Sequence, residues 1–346
     1  MINKIIILLL HPQPYREQVD KVLSKVMKED YDLIVPFITD IHYANFSDLK
    51  WHGNIQNNNI ERIKALQELN SKLDFDFVVF GGDYSYDWNT IDKMTECMKK
   101  LVEENKKIKC PRFYLVGNHD FGDSYNFGKF EPNKCLSNAE VNQILEGSGS
   151  DEMYYYLDIP QKETRFIMLN TSDSYIEDNR GLCKYNRSES EDCHVIRQPQ
   201  VEWLANEALN TPKDWKIVIF SHIPLDWVSN NGIQVMDMIN ARQSNTSISL
   251  RNTNSNSDFN IDFFKDFSSY HKCNILCNIS GHLHYDKYFN YGSTKNIVTL
   301  LASGKREYLF NSNLTDTSFD IYCFDYKNSK IDVIRFGYGY DRTFKY

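Results

Sequence analysis

Eight residues of metal-ligand type recur at one kind of place in this sequence. Asp40 and His42, Asp83, Asn118 and His119, His222, and His282 and His284 each follow closely on an apolar run. Five of the nine histidines belong to this set. Imidazole, carboxylate and amide oxygen together suit Zn, Mn, Fe or Ni better than Ca or Mg alone. Eight candidate donors exceed the needs of one ion, so the set points to two ions about 3.5–4 Å apart that share a bridging carboxylate. A water between two such ions is a nucleophile at neutral pH, suited to in-line attack on phosphorus. Any one member alone reads as a carboxylate in a turn or a satisfied core histidine. The repetition of the pattern favours the metal.

The elements that must position these residues are legible as apolar patterns. Phe77-Val78-Val79-Phe80 runs into Gly81-Gly82-Asp83, a strand buried on both faces with a sharp turn at its carboxyl end, where open α/β sheets place ligands. Leu33–Thr39, Arg112–Val116, Trp215–Phe220 and Asn274–Ser280 are strands that deliver the other groups. Met153–Ile159 and Thr164–Leu169 read as a hairpin. Helical spacing appears in Tyr15–Asp30, in Asn57–Leu73 and in a segment capped by Asn89 that runs to Glu104. Ser137–Glu146, Gln200–Leu209, Asn231–Arg242 and Ile261–His271 are the remaining expected helices, and Ser244–Asn260 reads as a Ser/Asn-rich loop. Asn296–Leu301, Phe319–Tyr326 and Lys330–Phe336 read as strands, so β structure dominates from 285 to 346. The expectation is one α/β domain with mixed sheets over residues 1–346, with long loops at 121–150, 171–197 and 226–260.

Composition narrows the function classes. The chain has 346 residues with 22 Tyr and 21 Phe, enough for a sizeable core. Its formal charge of −8 and the lack of basic runs weigh against a general nucleic-acid or membrane-surface binder. Ile5–Leu10 is too short to span a bilayer and lacks the flanks of a cleaved signal, which points to a cytoplasmic protein. The eight cysteines are scattered without a C-x-x-C pair, and only Cys183 and Cys193 are placed to close a small hairpin. The N-x-S/T matches follow from abundant Asn.

The motifs stand in the order Asp40-Ile41-His42, Gly82-Asp83, Gly117-Asn118-His119-Asp120, His222 and Gly281-His282-Leu283-His284. This series resembles the calcineurin-like metallophosphoesterases, whose blocks are D-x-H, G-D, G-N-H-D/E, H and G-H-x-H. Gln200-Val201-Glu202-Trp203-Leu204 is similar to a Q-x-x-W-L helix start of that family. The tail from Arg335 to Arg342 is similar to that of bacterial and prophage-borne members. The resemblance implies two packed mixed β-sheets flanked by helices, an α/β/β/α sandwich. It implies two transition-metal ions (Mn, Fe, Zn or Ni), one held by Asp40, His42 and His284 and the other by Asn118, His222 and His282, with Asp83 bridging. It implies hydrolysis of phosphate monoesters or diesters, with His119 as general acid to the leaving group and Asp120 supporting its far nitrogen. A third-ligand role is the alternative for His119.

Gly82-Asp83-Tyr84-Ser85-Tyr86 also fits the G-D-x-x-Y of purple acid phosphatases, but those lack the histidine that stands here as His42, so Tyr86 reads as a pocket wall or core aromatic. His11, His52 and His194 lack strand-end placement and read as ordinary surface or core residues, and His271 as a cation at a helix end. Tyr125, Phe127, Tyr185 and Trp227 are candidates to stack on a base. Arg180, Lys184 and Arg187 are either phosphate partners or a solvated face. A nuclease, a cyclic-nucleotide phosphodiesterase and a metal-bound interaction module without turnover are the alternatives to a general phosphoesterase.

Overall fold

The computed structural model describes residues 13–43, 55–85, 90–122, 135–146, 150–185, 194–299 and 318–346. Short apolar runs build two mixed six-stranded sheets. In the first, β1 (Leu33–Ile38), β2 (Val78–Phe80) and β3 (Arg112–Tyr114) pair in parallel. The antiparallel strands β12 (Ser318–Asp325), β13 (Lys330–Gly337) and β14 (Arg342–Lys345) extend this sheet from the other side of β1. In the second sheet β5 (Thr164–Leu169), β6 (Lys216–Ser221), β9 (Asn274–Ser280) and β11 (Thr294–Val298) run parallel. The antiparallel strands β4 (Tyr155–Ile159) and β10 (Lys287–Tyr291) form its edges.

Period-2 alternation assigns each side chain to a layer. Leu33, Val35 and Phe37 of β1 meet Phe166 and Met168 of β5 and Val218 and Phe220 of β6 between the sheets. Phe37 and Phe220 stack there with centroids 5.6 Å apart. The alternate residues Ile38 and Phe80 face α1 (Gln13–Val26), α2 (Ile55–Asn70), α3 (Ile91–Asn105) and α4 (Asn138–Ile144) through Val22, Leu66, Met98 and Val141. On the opposite flank Ile167, Leu169, Ile217 and Ile219 face α5 (Gln198–Trp203) and α6 (Gly232–Gln243) through Val201, Val235 and Ile239. Strands covered on both faces are apolar at every position, which is why they read as continuous runs.

Several expectations are corrected. Ile261–His271 is not a helix: Ile261–Asp266 is strand β8, paired antiparallel with β7 (Ser247–Asn252) inside the stretch read as a loop. Ile261, Phe264 and Phe267 lie at helical spacing, but Ile261 is buried and Phe264 exposed, as period 2 requires. The 226–260 segment therefore carries α6 and β7 and is no simple loop. Thr90 caps α3, accepting from the Lys93 N–H; Asn89 lies outside the described residues. Cys193, Tyr125, Phe127, Arg187, Tyr86, His11 and His52 also lie outside them. Among the described residues no helix is long and apolar enough to cross a membrane.

Candidate metal centre

The chain leaves β1 through Thr39, Asp40, Ile41 and His42, and this segment zips onto the turn after β2. Asp40 N–H donates to the Gly82 carbonyl at 3.0 Å and His42 N–H to the Asp83 carbonyl at 2.9 Å. In the second sheet the turn after β9 zips in the same way onto the end of β6, with Gly281 N–H donating to the His222 carbonyl at 2.9 Å. The two sheets are bonded to each other here as well: His282 N–H donates to Asp40 Oδ2 at 2.9 Å. Two glycines allow this closeness. A Cβ at Gly281 would stand 2.5 Å from Asp40 Oδ2, and one at Gly117 would stand 2.7 Å from Asp83 Cγ.

The strand ends bring the expected side chains into two adjoining groups. Asp40, His42 and His284 form one and Asp83, His222 and His282 the other, with the ligand atoms in each within 4.8 Å of one another. His284 Nε2 lies 3.3 Å from Asp40 Oδ1 and 3.2 Å from His42 Nε2. Asp83 Oδ2 stands between the groups, 3.1 Å from His222 Nε2 and 3.7 Å from His42 Nε2. Asn118 is buried at the head of a 3₁₀ turn, Asn118–Asp120, that also carries the partly exposed His119. His119 N–H donates to Asp83 Oδ1 at 3.0 Å, and its ring lies 5.4 Å from that of His42.

Five of these residues hold left-handed backbone: Asp40 at φ 54°, His42 at 47°, Asp83 at 56°, His282 at 70° and His284 at 57°. For residues with a Cβ such conformations cost on the order of 1–3 kcal/mol each and persist only where the surroundings over-determine them, most often at functional sites.

The donor set fits metal ions. Asp40 Oδ1, Asp83 Oδ2 and His222 Nε2 are buried and have no hydrogen-bond partner, a state that burial makes costly unless something else binds them. His222 Nδ1 lies 2.7 Å from the Gly81 carbonyl, so Nδ1 is a donor and Nε2 is the atom left to face the centre, where an ion would take the place of its proton. Burial alone would raise both carboxyls, but His222 and His119 hold Asp83 well below the carboxylate range, and His284 and His222 do the same for Asp40. Burial holds His42 down to about 3 and keeps His282 well below the usual imidazole range. Burial opposes the protonation of His222, yet Asp83 overrides it and raises the imidazole to about 9.

Asp120 is bound to backbone on both of its oxygens. Its Oδ2 accepts from Gly117 N–H at 2.7 Å and Asp83 N–H at 2.9 Å, and its Oδ1 accepts from Tyr84 N–H at 2.7 Å. Both carboxylate oxygens of Asp120 thus engage the backbone of the Asp83 turn and of Gly117. Burial and the charge of Asp83 raise its carboxyl to about 7.

His194 is no ordinary surface or core histidine: its ring packs edge-on against His282 at 5.0 Å and bonds the Trp227 backbone carbonyl. It arrives from the 171–197 segment, without a strand behind it, so no local pattern marks it. Of the aromatic candidates within the described residues, Trp227 is 45% exposed, whereas Tyr185 is buried with its hydroxyl on Asn256 and Asp258. Arg180 pairs with Asp178 and Lys184 with Asp258.

The family model described as calcineurin-like phosphoesterase matches residues 35–286. A manganese-dependent ADP-ribose/CDP-alcohol diphosphatase of Arabidopsis thaliana is 27% identical over 140 residues, which span 39% of this chain and 41% of that protein. The fold is similar to that of a dimetal phosphatase from Danio rerio, with a TM-score of 0.63, 16% identity, and coverage of 92% of this chain and 100% of the other.

Proposed function

The chain belongs to the calcineurin-like phosphoesterase family, hydrolases of phosphoester bonds, and from that premise we propose a two-metal reading of its strand-end cluster. Asp40, His42 and His284 would hold one ion, Asn118, His222 and His282 the other, and Asp83 would be shared between them. The observation that carries this reading is Asp83 Oδ2, buried, without a hydrogen-bond donor, and flanked by His222 at 3.1 Å and His42 at 3.7 Å. Mixed imidazole and oxygen donors suit Mn, Fe, Zn or Ni. Bound there, such ions supply an activated water and neutralise charge on the phosphoryl oxygens.

The chain's own groups supply the rest. His119 stands outside both donor groups, and its partly exposed ring is the group assigned to protonate the leaving oxygen. Asp120 acts through the backbone, holding the Asp83 turn against Gly117. The substrate class is phosphate monoesters or diesters. A nucleoside diphosphate derivative is the second reading, favoured by the exposed indole of Trp227 and by what the Arabidopsis relative is named for.

Chelation should abolish hydrolysis, and Mn²⁺ or a similar ion should restore it. The assay is a panel of an aryl phosphate, an aryl diester, ADP-ribose, a cyclic nucleotide and single-stranded DNA. Hydrolysis that survives chelation would sink the two-metal reading. Protein that binds metal but leaves the whole panel intact would favour an interaction module, and preferential cutting of DNA would favour a nuclease.

A further inference from the structure

The C-terminal run from Arg335 to Arg342 is distinctive in sequence, and the structure gives it a physical purpose. Arg335, at the end of β13, is fully buried and bonds two carboxylates at once. Its Nε donates to Asp320 Oδ1 at 2.6 Å, and its Nη2 donates to Asp286 Oδ1 at 2.7 Å. Arg342 brings a second guanidinium to the same two carboxylates, Asp320 and Asp286. The intervening chain folds back to close the cluster. Arg335 Nη1 donates to the Tyr338 carbonyl at 2.9 Å, and Arg335 N–H donates to Asp341 Oδ1 at 2.9 Å. Gly339 has φ +110°, and a Cβ there would stand 2.5 Å from Arg335 Nη1.

What this cluster holds is the turn that carries His282 and His284. Asp320 Oδ2 accepts from Thr299 Oγ1 at 2.9 Å, and Thr299 N–H donates to the carbonyl of Ser280 at 2.8 Å, just before the turn begins. Through Arg335 and Arg342 the same carboxylate reaches Asp286, two residues beyond His284. One buried carboxylate in the first sheet therefore grips both ends of a loop that belongs to the second. His282 and His284 both sit in left-handed backbone, which needs such external restraint. Buried ion pairs are a weak source of net stability but are directional, and direction is what a ligand-bearing loop requires.

We propose that Asp320, Arg335, Arg342 and Asp286 form a positioning cluster that aims His282 and His284 at the metal centre. The proposal rests on the assignment of those histidines as ligands. Its test is a Mn²⁺ titration of the protein after removal of metal, followed by calorimetry, beside thermal unfolding of the same metal-free samples. Asp286→Asn keeps the side-chain shape, removes its charge, and changes a group whose side chain is 34% exposed, so folding survives. Partners that orient metal ligands typically contribute 10–100-fold in metal affinity, so Mn²⁺ binding should weaken at least about tenfold with little change in melting temperature. Arg165→Lys is the control. It breaks the bidentate pair with Asp158 at the opposite end of β5, and should lower the melting temperature while leaving Mn²⁺ affinity unchanged.

Affinity within threefold of wild type in Asp286→Asn overturns the positioning role, as does an equal loss of affinity in Arg165→Lys. Wild-type protein that binds no Mn²⁺ removes the ligand assignment and this inference with it. Wild-type protein that binds two ions beside an unaffected Asp286→Asn removes the inference alone.

Discussion

Gly117→Ala is the most direct test of the geometry at the Asp83 carboxylate. Gly117 has ordinary φ of −101°, so no conformational need excludes a side chain; what excludes it is Asp83. An added Cβ would stand 2.7 Å from Asp83 Cγ and closer still to Oδ1, whereas real Cβ contacts essentially never fall under 3.0 Å. The carboxylate cannot tilt away freely, because His119 N–H holds Oδ1 and Asp120 holds the Asp83 backbone. Relieving the overlap displaces the carboxylate by roughly 1 Å, and a misplacement of that size costs on the order of 10²-fold in rate. This equals about 2.7 kcal/mol of transition-state stabilisation. The assay is steady-state hydrolysis of an aryl phosphate across a Mn²⁺ titration. The expected outcome is weaker Mn²⁺ binding together with a lower kcat that excess Mn²⁺ does not restore. A variant that folds, binds Mn²⁺ as wild type does and keeps kcat within threefold would refute the claim that Asp83 is held in place for metal.

Three further expectations follow from other residues. His119→Ala should lose roughly 10²–10⁴-fold on an alkyl phosphate while an activated aryl phosphate is cut nearly as before, with metal content unchanged; equal losses on both, or lost metal, would remove the proton-donor role. Asp120→Asn replaces one oxygen that accepts from buried backbone N–H groups with a donor, so urea unfolding should show a loss of about 1–3 kcal/mol, and an unshifted midpoint would contradict the bonding described. Burial opposes ionisation of Asp320, but Arg335 and Arg342 lower its carboxyl to about 2. A depressed carboxyl contributes stability that is fully present above its unfolded value and is lost as pH falls toward the folded one, here between about 4 and 2. Acid unfolding should therefore steepen in that window by on the order of 2 kcal/mol, and Asp320→Asn should be less stable at pH 7 but lack that step.

The features legible in the sequence are those made by neighbours along the chain. A strand that ends in Asp, Asn or His presents that side chain at the sheet edge through local geometry, so Asp40, His42, Asp83, Asn118, His222, His282 and His284 could be named before any fold was in view. The β7–β8 hairpin escapes a local reading because Ile261, Phe264 and Phe267 satisfy a helical spacing, while the alternation of Ile248 and Leu250 in its partner, Ser247–Asn252, is short and set among Ser and Asn residues. His194 reaches His282 from 88 positions away on a segment with no periodicity. The supports of the centre are distant in the same way. Asp120 bonds Asp83 across 37 positions, and Arg335 joins Asp320 to Asp286 across 15 and 49. Left-handed backbone at Asp40, His42, Asp83, His282 and His284 is a tertiary property too, since among residue types glycine is the one that adopts it freely. The candidate ligands are thus marked by local pattern, whereas the left-handed backbone that carries them, and the buried charges that flank it, exist only once the two sheets have closed on one another.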